Sequence, residues 1–202
     1  MDKNIVFDFD ETIGYFEQII DIIKYTKKTT KSEVFAFLNL FPLVFRTNIF
    51  DIFYYIVRLK KEKKIKSVIL YSNNKNDLFI RYVLSFIHEK VNFPLFDLSI
   101  SLNQTHNKNK NLSDLINYSD GLLNKKSSIF FIDDKEYNNM KSIKYYIKCE
   151  SYKYIYSDSE IEKKLNIKLN ESYKSKIVPQ SIYTLISKEI INKLRLFILI
   201  NI

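Results

Sequence analysis

The chain is poor in the residues that form cross-links and tight turns. Its 202 residues include one cysteine, two glycines, three prolines and no tryptophan. With Cys149 alone, an internal disulfide is excluded and a reducing compartment is expected. Nothing in the sequence around Cys149 marks it as an activated nucleophile. Because glycine is so scarce, we expect asparagine to take its place at many turns.

Long apolar runs are missing as well. The most apolar stretch, residues 194–202, is too short to cross a bilayer, and the first residues lead into a strand pattern without room for a signal peptide. An apolar fraction of 46% and a charged fraction of 27% are typical of globular proteins. We therefore expect an intracellular protein without a membrane span, cytoplasmic or, as an option left open, nuclear.

The formal net charge is +9, so the surface should attract polyanions or acidic partners. The lysines are spread along the chain and form no single cluster. This spread favours a solvated basic surface over a dedicated nucleic-acid face, although nucleic acid stays open as a partner.

Residues 4–14 carry the pattern from which a function is inferred. The apolar run Ile5-Val6-Phe7 is typical of a buried strand, and it is followed by two carboxylates, Asp8 and Asp10. Acids this close repel each other unless a cation lies between them, which indicates a divalent metal. One of them can also attack phosphorus while the other transfers protons. The alternative is a capped strand end, with Asp10 as an ordinary turn residue.

Strand and helix patterns alternate along the rest of the chain. Further strands are predicted at residues 67–72, 96–102, 127–134 and 143–149, and helices at residues 15–25, 48–64, 76–90 and 112–118, while residues 32–41 are an apolar stretch. This alternation predicts an α/β fold, a parallel sheet with helices on both faces. We expect 103–111 to be a polar loop.

The C-terminal part is predicted to form an extension. Residues 1–165 should make the main domain, and residues 166–202 a helical extension that packs on the domain or at a subunit interface of a homo-oligomer. A helix is predicted from Pro179 to about Leu199. Its apolar stripe is expected to comprise Ile182, Ile186, Ile190, Leu194 and Phe197.

Two more predicted strands end on polar groups. Ser72 closes the second strand, and Asp133-Asp134 closes the fourth. The carboxyl ends of parallel strands meet at one edge of a sheet, where open α/β sheets bind their ligands. We therefore expect these groups to lie beside Asp8 and Asp10, although Ser72 taken alone fits an ordinary turn residue better.

These segments resemble the signatures of the haloacid dehalogenase (HAD) superfamily. The run Asp8-Phe9-Asp10-Glu11-Thr12 resembles its first signature, Asp-x-Asp-x-Thr, and its Asp-Glu-Thr ending is most similar to the FCP/SCP branch, which dephosphorylates the C-terminal tail of RNA polymerase II and other phosphoproteins. Val68 to Ser72 resembles the second signature. Asp133-Asp134 resembles the fourth, although the branch commonly has Asn at the position of Asp134.

The resemblance implies a fold and a set of roles. The fold would be a HAD-like Rossmannoid sheet without a large cap domain, which leaves the site open. Asp8 would be the nucleophile and Asp10 the acid/base. The expected Mg²⁺ would be held by Asp8, the backbone carbonyl of Asp10, and Asp133. Ser72 and a lysine would bind phosphoryl oxygens, and three further residues would contact substrate or orient these groups: Thr12, Asn73 and Asp134.

The lysine is chosen by resemblance too. The run Lys110-Asn-Leu-Ser-Asp-Leu115 is similar to the Lys-Asp-Leu-Ser segment of the branch, which makes Lys110 the expected cation. Lys108, Lys125 and Lys126 are the competing candidates. Near the end of the resemblance, 156–161 is similar to a stretch that caps the last helix, and Ser159 with Glu162 forms a capping-box pattern.

The sequence thus predicts a Mg²⁺-dependent phosphatase that acts through an aspartyl-phosphate, with phosphoserine or phosphothreonine protein as the expected substrate. Nucleotides, nucleic-acid ends and small metabolites remain alternative substrates. A different class of function also stays open, namely a binding or regulatory module that has kept the fold and lost turnover.

Overall fold

A computed structural model describes residues 2–169 and 180–200. Its centre is a sheet of five parallel strands in the order β3-β2-β1-β4-β5. The strands are β1 (Lys3–Phe7), β2 (Ser67–Tyr71), β3 (Leu98–Ile100), β4 (Ser128–Asp133) and β5 (Tyr145–Lys148). The predicted α/β fold with a parallel sheet is confirmed, and its arrangement is Rossmann-like.

Eight α-helices accompany the sheet in the described residues. They are α1 (Glu17–Thr26), α2 (Lys31–Leu40), α3 (Ile49–Lys61), α4 (Asp77–Val91), α5 (Leu102–Thr105), α6 (Leu112–Asn117), α7 (Asp158–Leu165) and α8 (Gln180–Leu199). The short helix α5 lies where a polar loop was predicted. Ser101 and Gln104 form a capping box there, so the third strand stops at Ile100, two residues earlier than predicted.

The two faces of the sheet are covered unequally. Ile5 and Phe7 of β1 point into the larger apolar cluster, to which α1–α4, α7 and α8 contribute, while Val6 points into a smaller one. That smaller cluster consists mainly of strand residues, to which Leu115 from α6 and residues outside the α-helices and strands, such as Leu123, are added. Alternate residues of one strand therefore serve two cores, as expected for a parallel sheet buried on both faces.

Helix α7 begins two residues before the predicted capping box. The Ser157 hydroxyl accepts a hydrogen bond from the backbone N–H of Glu160, and the Glu160 carboxylate accepts one from the backbone N–H of Ser157. The predicted pair, Ser159 and Glu162, therefore lies inside the helix. Both pairs have the same spacing, and the extended backbone of Ser157 decides between them.

Helix α8 packs on the main domain with a face that matches the predicted one at Ile190, Leu194 and Phe197 and differs from it in the first half of the helix. Its buried residues are Tyr183, Ser187, Ile190, Leu194 and Phe197, whereas Ile182 is 45% exposed. From Ile182 to Leu194 the predicted stripe advanced four residues at a time, so it drifts around a helix of 3.6 residues per turn, while the observed face alternates steps of four and three. No described helix is long and apolar enough to cross a bilayer. Pro179 lies outside the described residues, and the boundary at residue 165 stays a prediction.

Candidate functional site

The acid pair sits where β1 leaves the sheet. The backbone N–H of Asp8 donates to the carbonyl of Ile132 at 2.9 Å. Asp8 is therefore held at the carboxyl end of the paired strands β1 and β4. A tight loop follows, in which Glu11 has a left-handed backbone with φ 58° and donates its N–H to Gly14 at 2.7 Å. A Cβ atom on Gly14 would overlap the carbonyl oxygen of Val44, so the loop closes only around glycine.

Lys110 lies between two of the acids. Its Nζ is 2.5 Å from Asp8 Oδ1 and 2.7 Å from Asp133 Oδ2, and the residue is 1% exposed. Burial alone would lower the pKa of this ammonium group, but the charges of Asp8 and Asp133 outweigh burial and raise the pKa. The structure thus brings Lys110 to the acids, while the three competing lysines are exposed: Lys108, Lys125 and Lys126.

Three aromatic rings surround the same ammonium group. Tyr71, Phe131 and Tyr137 have ring centroids 5.5, 5.7 and 5.5 Å from Lys110 Nζ. Rings at this distance attract a cation through their negative faces. They therefore fix the position of Lys110 by packing as well as by charge, and the sequence analysis did not identify them as part of the site.

Carboxylate oxygens of Asp8, Asp133 and Asp134 all lie within 4.8 Å of one another, and the three residues are buried. Thr12 connects to this group, since its hydroxyl accepts the backbone N–H of Asp134 at 3.0 Å. Burial, followed by the charge of Asp8, raises the pKa of Asp134 to about 6, and the same two causes raise the pKa of Asp133. The structure thus places Asp134, predicted as an orienting residue, among the possible metal ligands.

This cluster suits a divalent cation. Its ligands are hard carboxylate oxygens, which Mg²⁺ and Ca²⁺ prefer. Among the described residues, Lys110 is the one buried cation that pairs with acids of this cluster, and it contacts Asp8 and Asp133. The negative charge of the three acids is therefore only partly neutralised. The carboxylate of Asp10 is turned elsewhere, towards Asn74, and the predicted role of the Asp10 backbone carbonyl as a metal ligand stays a prediction.

Asp10 is anchored from the neighbouring strand. The side-chain amide of Asn74 donates to both carboxylate oxygens of Asp10, at 3.2 and 3.0 Å. Burial and then the charge of Asp8 raise the pKa of Asp10 to about 6, even though the hydrogen bond from Asn74 acts in the opposite direction. A carboxyl group in this range can both give and take a proton near neutral pH.

The end of β2 supplies the remaining predicted groups. Ser72 is fully buried, and its hydroxyl accepts the backbone N–H of Asn74 at 3.0 Å. That amide is therefore already used, while the hydroxyl proton of Ser72 can still be donated. Asn73 donates to the carbonyl of Lys108 at 2.8 Å and to the hydroxyl of Tyr137 at 3.0 Å, which ties β2 to the loop that carries Lys110.

Arg46 is a further buried residue whose role the sequence analysis missed. Its guanidinium donates to the carbonyls of Thr12, Glu11 and Glu150 at 2.6 Å each. These acceptors lie 34, 35 and 104 residues away, so no local pattern pointed to them. Arg46 holds the acid-bearing loop against the segment that follows β5.

Comparison with protein-family models, with curated proteins and with solved structures gives no significant match. The candidate site is therefore defined by its own geometry and by the sequence signatures.

Proposed function

We propose that the chain is a metal-dependent phosphatase of the HAD type that acts through an aspartyl-phosphate. The observation that carries the proposal is the contact of Lys110 with Asp8 and Asp133, inside a group of three buried carboxylates. These residues come from three distant parts of the chain. A cation fixed beside an acid nucleophile is what phosphoryl transfer requires, because charge stabilisation dominates that reaction.

In the proposed first step, a carboxylate oxygen of Asp8 attacks phosphorus and the bond from phosphorus to the leaving oxygen breaks. Asp10, in its protonated form, gives its proton to that oxygen, so the product leaves as a neutral alcohol. In the second step, water attacks the phosphorus of the aspartyl-phosphate while the Asp10 carboxylate accepts a proton from that water. Inorganic phosphate leaves, and Asp8 and protonated Asp10 are restored.

Asp8, Asp133 and Asp134 would hold Mg²⁺, the ion implied by the signatures and suited to carboxylate ligands. Bound there, Mg²⁺ would neutralise charge on the phosphoryl group and its attacking oxygen. Lys110 keeps the Asp8 carboxylate oriented, and Ser72 has a hydroxyl proton available for a phosphoryl oxygen.

The similarity to the FCP/SCP branch supports phosphoserine or phosphothreonine protein as the substrate. The net charge of +9 also suits phosphorylated nucleic-acid ends, which are the second candidate. A phosphoserine peptide, a 5′- and a 3′-phosphorylated oligonucleotide and a sugar phosphate should be compared at equal concentration. We expect the highest kcat/KM for the peptide.

Asp8→Asn tests the proposal directly. An amide in place of the nucleophile should abolish Mg²⁺-dependent hydrolysis of an aryl phosphate, while circular dichroism and the thermal unfolding midpoint show an intact fold. Asp120→Asn is the matched control, because Asp120 is exposed and has φ 50°, a conformation that Asn also tolerates. Full activity of the folded Asp8→Asn variant would end the proposal.

A further inference from the structure

Asn74 is held in one orientation by its own neighbours. Its side-chain oxygen accepts the backbone N–H of Asn76 at 2.8 Å, its backbone N–H donates to Ser72 at 3.0 Å, and its carbonyl accepts from Leu102 at 3.3 Å. Because a backbone N–H can only donate, the oxygen of the Asn74 amide must face Asn76, and the NH₂ group must face Asp10.

This NH₂ group is the anchor of Asp10. In the described part of the chain, both hydrogen bonds to the Asp10 carboxylate come from Asn74. Asp10 lies on a loop, and a carboxyl group without such an anchor would sample several rotamers. Acid catalysis needs the proton within hydrogen-bond reach of the leaving oxygen, so orientation has a direct effect on rate.

We infer that Asn74 is a positioning residue, which holds Asp10 towards the leaving-group side of the phosphoryl group. This inference rests on the proposed function and adds a residue that follows β2, whereas Asp10, which it positions, follows β1. Asn74 touches no reacting atom in this scheme and acts through Asp10. Removing it should therefore slow those steps in which Asp10 transfers a proton, and leave substrate binding nearly unchanged.

The test compares two substrates that differ in their need for a proton. The alkoxide released from an alkyl phosphate is a strong base and requires protonation, whereas 2,4-dinitrophenolate leaves as a stable anion. The ratio kcat/KM reports formation of the aspartyl-phosphate, before water attack. For Asn74→Ala and Asn74→Asp we expect kcat/KM to fall about 100-fold on phosphoserine peptide and by less than about threefold on 2,4-dinitrophenyl phosphate.

The second step adds an independent readout. Water attack is common to both substrates and uses Asp10 as base, so kcat on 2,4-dinitrophenyl phosphate should fall in the variants. A burst of dinitrophenolate, equal to the enzyme concentration, should then precede slow turnover. Asp10→Asn should show the same pattern and provides the reference.

Two features separate positioning from loss of structure. Asn74→Asp keeps an oxygen for the N–H of Asn76, and it replaces the NH₂ group that faces Asp10 by a carboxylate oxygen that repels the Asp10 carboxylate. Asn103→Ala is the matched control, since Asn103 donates to the carbonyl of Lys75 at 2.8 Å and to Asp77 at 2.9 Å in the same region without touching Asp10. We expect Asn103→Ala to leave unchanged the ratio of kcat/KM on phosphoserine peptide to kcat/KM on 2,4-dinitrophenyl phosphate.

If kcat/KM fell by the same factor on both substrates in folded Asn74 variants, the inference would be overturned and the phosphatase proposal would stand. The same asymmetry in Asn103→Ala would overturn it too. A wild-type protein that hydrolyses neither substrate with Mg²⁺ would instead refute the proposed function, and the inference with it.

Discussion

At the scale of single residues, the site depends on a buried lysine whose positive charge partly neutralises the neighbouring acids. Lys110 and its partners Asp8 and Asp133 are each buried, and their ion pairs measure 2.5 and 2.7 Å. Removing one member of a buried ion pair leaves the others without compensation, which costs more than the pair itself contributes. Lys110 is therefore needed for folding as well as for the proposed chemistry.

Replacing Lys110 by Met tests this double role. Without divalent metal, the free energy of unfolding should fall by about 3–5 kcal/mol, because the facing carboxylates lose their cation. Hydrolysis of an aryl phosphate should fall at least about 100-fold, the effect of removing one charge-stabilising donor. Urea unfolding and initial rates measure the two losses.

Magnesium should raise the stability of Lys110→Met more than that of the wild type, since a divalent ion takes over part of the neutralisation. Lys108→Met is the control, because Lys108 is exposed and only its backbone carbonyl contacts the site. If Lys108→Met lost as much activity as Lys110→Met, the assignment of the cation would be wrong.

At the scale of elements, a half-buried histidine connects α4 to the segment that leads into β3. His88 in α4 accepts the backbone N–H of Phe96 at 3.0 Å, just before β3, and its ring stacks on Phe96. Burial, and then the charge of Lys60, lower the pKa of His88 below its usual value. The imidazole is therefore kept neutral, which its role as acceptor also requires.

This shift predicts a pH dependence of stability. Because the folded state holds His88 unprotonated while the unfolded chain protonates it below about pH 6.5, the unfolded state binds more protons in that range. The contribution of neutral His88 to the free energy of unfolding should be fully present above that pH. It should decline as the pH falls towards the lowered pKa of His88 in the folded state.

His88→Gln supplies an acceptor that does not titrate. Urea unfolding at several pH values between 5 and 8 should show a smaller loss of stability on acidification for this variant than for the wild type. Parallel curves for the two proteins would exclude His88 as a source of the pH dependence.

At the scale of the whole molecule, the C-terminal helix belongs to the same core as the sheet. Leu194 and Phe197 of α8 are fully buried, and the ring of Phe197 lies 5.4 Å from that of Phe130 in β4. The hydroxyl of Tyr183 accepts a hydrogen bond from the backbone N–H of Lys153, and the ring centroid of Tyr183 lies 5.8 Å from the guanidinium carbon of Arg46. Helix α8 therefore contacts Arg46, which is the residue that holds the acid-bearing loop.

Leu194→Ala and Leu196→Ala form a matched pair that tests this packing. Leu194 is fully buried, so its truncation should lower the free energy of unfolding by about 2–5 kcal/mol. Leu196 is 60% exposed, and the same change there should alter stability by less than about 0.5 kcal/mol. Similar effects at both positions would mean that α8 does not pack on the domain in solution.

Local patterns in the sequence were enough for several features. The apolar runs around residues 5–7, 67–71 and 128–132 predicted three of the strands, because β-branched and aromatic residues in short buried runs favour strands wherever they occur. Once these strands are parallel, Asp8, Ser72 and Asp133 must end at one edge. The edge of the sheet that carries the candidate site therefore followed from the sequence alone.

Tertiary structure decided which side chains meet there. The resemblance pointed to Lys110, but its burial between Asp8 and Asp133, with Lys108 exposed, results from the packing of distant segments, and no local pattern encodes it. Asn74 and Arg46 have hydrogen-bond partners 64 and 34 residues away, which only the packed structure brings close to them. Hydrogen bonds and charges act over a few ångströms in space, whereas sequence patterns report on neighbours along the chain, and this difference separates what could be predicted from what could not.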